Sequence, residues 1–135
     1  MALTKTTSLG TITINPSVLA REVRAAAVPV KEKMFFATSR GKLLAGPQKI
    51  SSADLSANMT IEETDENINL TFYIIMSFGS SIKNVTETIL DGIEKSFKTL
   101  FPTKGGNITI KIVGVKSKKI APRDIEVVRE YEATR

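Results

Sequence analysis

The chain contains neither cysteine nor histidine among its 135 residues. Without thiols there can be no disulfide framework, no Cys-ligated zinc or iron–sulfur cluster and no thiol nucleophile. Without imidazole, Ser-His-Asp and Cys-His catalysis are excluded, as is the one side chain that ordinarily titrates near neutrality. An enzyme built from this alphabet would depend on Asp, Glu, Lys, Tyr, backbone groups or a metal held by oxygen alone. A non-enzymatic protein without a cofactor or metal is therefore expected. Long apolar runs are also missing: nothing approaches the roughly 20 residues that a membrane-spanning helix needs, and "MALTKTTSLG" lacks a signal-peptide core. A cytoplasmic location is expected. In that setting the Asn-x-Thr triplets at Asn58, Asn69, Asn84 and Asn107 read as chance, not as glycosylation acceptors.

What is present suits one domain. A 41% hydrophobic content supplies a single core, with residues 1–120 as the α/β domain and 121–135 as a short C-terminal helix or tail. Nineteen Lys plus Arg against fourteen Asp plus Glu leave a formal charge of +5. Basic residues gather at "RGK", Arg40 to Lys42, and at "KSKK", Lys116 to Lys119; acidic ones gather at "EETDE", Glu62 to Glu66. Such basic clusters suit an anionic partner, whether nucleic acid, lipid head groups or an acidic protein face. No aromatic residue is interleaved with the lysines, so a solubilising edge after a strand is the plainer reading.

Periodicity gives the order of elements. "GTITI" alternates as a strand with Ile12 and Ile14 on one face. Asn15 and Pro16 form a helix start, and Leu19, Val23, Ala26 and Ala27 follow on one stripe. Pro29 disfavours helix at Val28, and the alanine run permits a close neighbour. "VKEKMFFATS" reads as an untidy strand, then "RGKLLAGPQKISSADLSA" as loop around a short strand at Lys42–Ala45. From Asn58 to Phe78 two alternating runs flank a polar turn, a hairpin with Met59, Ile61, Ile68, Leu70, Phe72, Ile74, Met76 and Phe78 inward. Ile82, Val85, Ile89, Ile93, Phe97 and Leu100 then mark an amphipathic helix, with Asp91/Lys95 and Glu94/Lys98 spaced to pair on its surface. "NITIKIVGV" returns as a strand, and "APRDIEVVREYEATR" reads as a short helix from Pro122 with Ile125 and Val128 as its apolar face. The fold class expected is α+β: a two-layer sandwich of order β-α-β-β-β-α-β plus a C-terminal helix, its helices on one face of a mixed sheet.

Two stretches invite chemistry. "SFGSSIKNVTETI" carries a strand into a helix with a Lys in its first turn, but it has one glycine, Gly79, where a phosphate-binding loop needs Gly, four residues and Gly-Lys-Ser/Thr. It reads as a structural joint: Phe78 closes a buried strand, Gly79 bends the chain and Ser80 or Ser81 caps the helix. Glu62, Glu63, Asp65 and Glu66 lack the ligand spacing of a calcium loop and read as a solvated hairpin tip.

Together, "GTITINPSVLAREVRAAA", "LTFYIIMSFGSSIKNVTETILDGIEKSF" and "NITIKIVGV" resemble the alkaline shock protein family of Gram-positive bacteria, envelope stress response proteins, in the right order over residues 9 to 115. Lys83 stands where the family pattern carries proline. The resemblance implies a small α/β, non-enzymatic protein linked to envelope homeostasis or stress. It implies self-association into a homo-oligomer and recruitment to the inner face of the membrane by a membrane-anchored partner. Arg40, Lys42, Lys83, Lys116, Lys118 and Lys119 are the candidate interaction residues. A small nucleic-acid-binding module using the same basic patch is the alternative.

Overall fold

A computed structural model describes residues 3–7, 10–14 and 16–134, with side chains from residue 16 onward. Two strands, β1 (Leu3–Thr7) and β2 (Gly10–Ile14), form an antiparallel ladder of their own. The expected cap at Asn15, and the facing of Ile12 and Ile14, lie outside the described residues. Helix α1 (Pro16–Ala27) buries Leu19, Ala20, Val23, Ala26 and Ala27. It gives way at Val28–Val30 to a short 3-10 turn, where Pro29 ends it as its restriction on the preceding residue requires.

The main sheet has six strands: β3 (Met34–Ala37), β4 (Leu43–Ala45), β5 (Thr60–Glu63), β6 (Ile68–Ser77), β7 (Gly106–Lys116) and β8 (Ile120–Tyr131). Their order is β4-β3-β6-β7-β8, and β5 also pairs with β6. β6 and β7 are parallel, and the other pairs in the sheet are antiparallel, so the sheet is mixed. One edge of β6 is shared, because β5 pairs with Ile68–Thr71 and β3 with Tyr73–Met76. The β5–β6 hairpin closes through Thr64, whose amide donates to the Asn67 carbonyl (2.8 Å) and whose Oγ1 accepts from the Asn67 amide (3.0 Å).

Before the last crossover the chain forms a short helix, α2 (Ser52–Ala57), and then the long helix α3 (Ile82–Leu100). Helix α3 crosses from β6 to β7 and buries Val85, Ile89, Leu90, Ile93 and Phe97 in one core with Phe36, Phe72, Ile74, Ile108, Ile110 and Ile112. The helices thus cover one face of the sheet, as the 3.6-residue pattern demanded. The alanine run of α1 works as a close-packing surface: a Cβ on Gly92 of α3 would lie 2.8 Å from the Ala26 Cβ. Of the two spaced surface pairs, Lys98–Glu94 forms at 3.2 Å, while Asp91 is instead drawn to Arg129 on β8 (2.9 Å).

Three expectations require correction. The C-terminal segment is a strand, not a helix: β8 runs antiparallel to β7 along Gly106–Lys116. Ile125, Val127, Arg129 and Tyr131 alternate toward α3, while Val128, read as part of a helical stripe, is 50% exposed on the opposite face. Phe78 does not close a buried strand. It lies beyond the end of β6 and is 77% exposed. The expected loop at 46–57 contains α2, capped by Ser51 Oγ accepting from the Asp54 amide (3.0 Å) and anchored by buried Leu55. Arg24 of α1 holds this segment by donating to the Ile50 carbonyl at 3.0 Å.

Candidate functional site

The joint between β6 and α3 forms one end of the sheet. Gly79 adopts φ +84°, a left-handed geometry that glycine reaches without penalty, and the chain reverses there. Ser81 caps α3: its Oγ accepts from the Asn84 amide at 3.2 Å. Lys83 then occupies the first helical turn, which holds no acidic residue, so its charge adds to the positive end of the helix dipole and is not offset by it.

Two further segments converge on the same end. The Phe78 amide donates to the Lys116 carbonyl (2.8 Å), joining the joint to the end of β7. Ser77 donates from its amide to the Lys33 carbonyl (2.8 Å) and from its hydroxyl to the Glu32 carbonyl (3.3 Å). The run Lys116–Lys119 is the tight turn between β7 and β8, closed by the Ser117 amide donating to the Lys119 carbonyl at 3.0 Å. Lys116 Nζ lies 5.8 Å from the centroid of Phe35, a cation–π distance. Lys33, Lys83, Lys118 and Lys119 are exposed, and among the described residues none of these four nor Lys116 is in an ion pair. Glu32, next to Lys33, and Glu87, one helical turn beyond Lys83, are acidic and also exposed. Phe78, 77% exposed, lies at the same end.

Of the six residues singled out by sequence, the fold therefore gathers four, Lys83, Lys116, Lys118 and Lys119, at one apex. Arg40 and Lys42 stand on the β3–β4 loop, where Thr38 Oγ1 accepts from both of their amides (3.3 and 3.1 Å). That loop leaves β3 at Ala37, opposite Tyr73. Its root lies three residues along the ladder from the Met34–Met76 pair, a separation of about 10 Å, and the loop reaches back over the sheet to β7, where a Cβ on Gly41 would lie 3.8 Å from the Val113 carbonyl. Sequence reasoning missed Phe78 and Lys33. Period-two alternation counted Phe78 with the buried residues, and only the end of β6 at Ser77 frees it.

Groups with perturbed acidity lie away from the apex. Tyr131 is buried against Phe97, with ring centroids 5.9 Å apart, and donates its hydroxyl to the Ile68 carbonyl at 2.8 Å; burial raises its pKa well above the ordinary 10. The hydrogen bond to Asp91 holds the Arg129 guanidinium firmly charged, with Glu94 adding to it. In the acidic hairpin, Glu63 is engaged by Lys104 Nζ at 2.8 Å, and among the described residues no group of three or more carboxylates is placed to hold a metal.

Fold and apex define a class: a small α/β domain with one helix-covered face and a cationic, aromatic-tipped end, in which no helix among the described residues is long and apolar enough to cross a membrane. The model of the alkaline shock protein 23 family, described by a cell envelope-related function, matches residues 4–117. The chain belongs to that family. The match ends inside the β7–β8 turn, leaving β8 outside it. No curated protein and no solved structure matches the chain.

Proposed function

We propose that this protein is a non-enzymatic structural and interaction protein of the cell envelope, acting by self-association and by docking to a membrane-anchored partner. The observation that carries the reading is the apex itself, where lysines from three separate segments meet at the end of the sheet that also bears exposed Phe78, with no ion-pair partners among the described residues. Like charges brought together at a cost in self-repulsion are a feature of recognition surfaces, whereas a merely soluble surface intersperses both signs. Self-association is supported by β8, a twelve-residue strand that pairs on one side with β7 and carries exposed Val128. The cell envelope-related description of the family supports the setting.

A second reading is favoured by Phe78, since an aromatic ring among lysines also offers a stacking platform for a nucleic-acid base. Multi-angle light scattering at low and high salt, with and without an RNA or DNA oligomer, separates the two. The proposal expects an oligomer whose mass ignores the nucleic acid. A monomer that binds the oligonucleotide, with affinity falling steeply as salt rises, overturns it.

A further inference from the structure

The chemistry of the apex goes further than a generic basic patch. Phe78 is 77% exposed, far more than Val128, Ile120 and Val28, the other exposed large apolar residues among the described ones, at 50%, 38% and 37%. It sits on a tight corner and not in a groove: Gly79 follows it at φ +84°, and the Ser80 amide donates back to the Ser77 carbonyl at 3.1 Å. Its backbone is fixed on both sides, by Lys116 through the Phe78 amide and by the cap of α3. The ring is thus an apolar tip on a rigid mount. Backbone hydrogen bonds tie this corner to Lys116 and, through Ser77, to Lys33; Lys83 follows in the first turn of α3 at its positive end, Lys118 and Lys119 follow Lys116 in the β7–β8 turn, and Glu32 precedes Lys33.

We propose that this apex binds directly to an anionic lipid surface, with the Phe78 ring entering the interfacial region and the lysines contacting the acidic head groups. Rigid protein partners need roughly 800 Å² of complementary surface per side with an apolar centre. The convex ring and its basic neighbours make up only part of such a surface, so a docked protein partner must extend beyond the apex. A lipid interface demands no complementary shape, accepts aromatic rings at head-group depth and rewards long, mobile cationic chains around them. One apolar insertion or one basic patch alone gives marginal binding, whereas the two together give reversible, charge-selective attachment. The inference rests on the reading of an envelope-associated protein but adds a contact that needs no protein partner.

The absence of tryptophan makes the test direct. A Phe78→Trp variant carries a single indole at the tip, and its emission is followed on titration with vesicles of phosphatidylcholine alone and with about one-third phosphatidylglycerol. The expected result is a blue shift and co-sedimentation with the anionic vesicles only, reversed by high salt. In the otherwise native chain, Phe78→Ser should weaken co-sedimentation about tenfold, and each of Lys83→Gln and Lys118→Gln roughly fivefold. All three side chains are exposed, so helical circular dichroism should be unchanged. No binding to anionic vesicles at low salt, or binding that Phe78→Ser leaves intact, overturns the inference. So does an RNA oligomer that shifts the indole emission of the Phe78→Trp variant where vesicles do not. Light scattering on the same samples keeps the two proposals apart: an intact oligomer that ignores vesicles refutes the lipid contact while leaving self-association standing.

Discussion

Replacing Tyr131 by Phe tests how the C-terminal strand is locked to the rest of the domain. The hydroxyl donates to the Ile68 carbonyl across 63 positions of sequence, at 2.8 Å, in a site where Tyr131 is 5% and Ile68 1% exposed. Removing it leaves the ring packing on Phe97 but withdraws a donor from a buried carbonyl, a loss of about 1 to 1.5 kcal/mol. For a domain of this size, that lowers the melting midpoint by roughly 3 to 6 °C near neutral pH. The pH dependence is more diagnostic. Below about pH 10 the phenol is protonated in both folded and unfolded chains, so its full contribution is present. Above that value the unfolded chain releases the proton while burial holds it in the folded one. Stability then falls by about 1.4 kcal/mol per pH unit until the raised folded pKa is reached. The Tyr131→Phe chain lacks this dependence, so urea midpoints of the two proteins should converge as pH climbs past about 10. The chain has two tyrosines, and in a Tyr73→Phe background absorbance titration should show the remaining phenol ionising only well above pH 10. A difference between the proteins that stays constant from about pH 7 to 11, or a phenol that titrates at its ordinary value, would refute the reasoning.

The remaining predictions concern single contacts. Ser81→Ala removes the cap of α3 and should cost about 1 kcal/mol in urea unfolding, with Ser81→Asp restoring most of it. Gly106→Ala should destabilise by about 2 kcal/mol or more, because the new Cβ would run into the Ile68 carbonyl at a backbone φ of +144°; stability equal to the parent would show that the approach of β7 to β6 is looser than described. Arg129→Gln breaks the bridge to Asp91 and Glu94, but the arginine side chain is 28% and Asp91 71% exposed. The expected loss is therefore only about 0.5 to 1 kcal/mol, shrinking in high salt.

Much of the architecture was legible because its signals were strong and local. Ile68 to Met76 alternated without a break, and Val85, Ile89, Ile93 and Phe97 recurred at helical spacing, so β6 and α3 were found with the right buried faces. The C-terminal strand was misread for a definable reason. Pro122 suggested a helix start, and Ile125 and Val128 share a helical stripe, yet Ile125, Val127 and Tyr131 fit a period of two equally well. What decides is the apolar strip on α3 beside β7, a tertiary demand absent from any short window. Helix α2 escaped because six residues show less than two turns of periodicity, leaving Ser51 and Leu55 as its faint signals. At the apex the lysines were visible, but their convergence was not. Lys33 and Lys116 are brought together by the pairing of β3 and β7 with β6, and Lys83 by the turn from β6 into α3, while Arg40 and Lys42, equally basic by sequence, sit on the β3–β4 loop.

The divided edge of β6 has a consequence for how the chain tolerates change. β5 and β3 lie end to end along the same side of that strand, each with its own hydrogen bonds, and the stretch from Thr38 to Met59 joins them. It is a detour that begins and ends beside one strand. Lengthening, trimming or exchanging its outer turns leaves both attachments of β6 in place, provided Ile50 and Leu55 still reach the core. Variation in length among related chains, and the insertion of a tag or reporter, should therefore be accommodated there before anywhere else in the sheet.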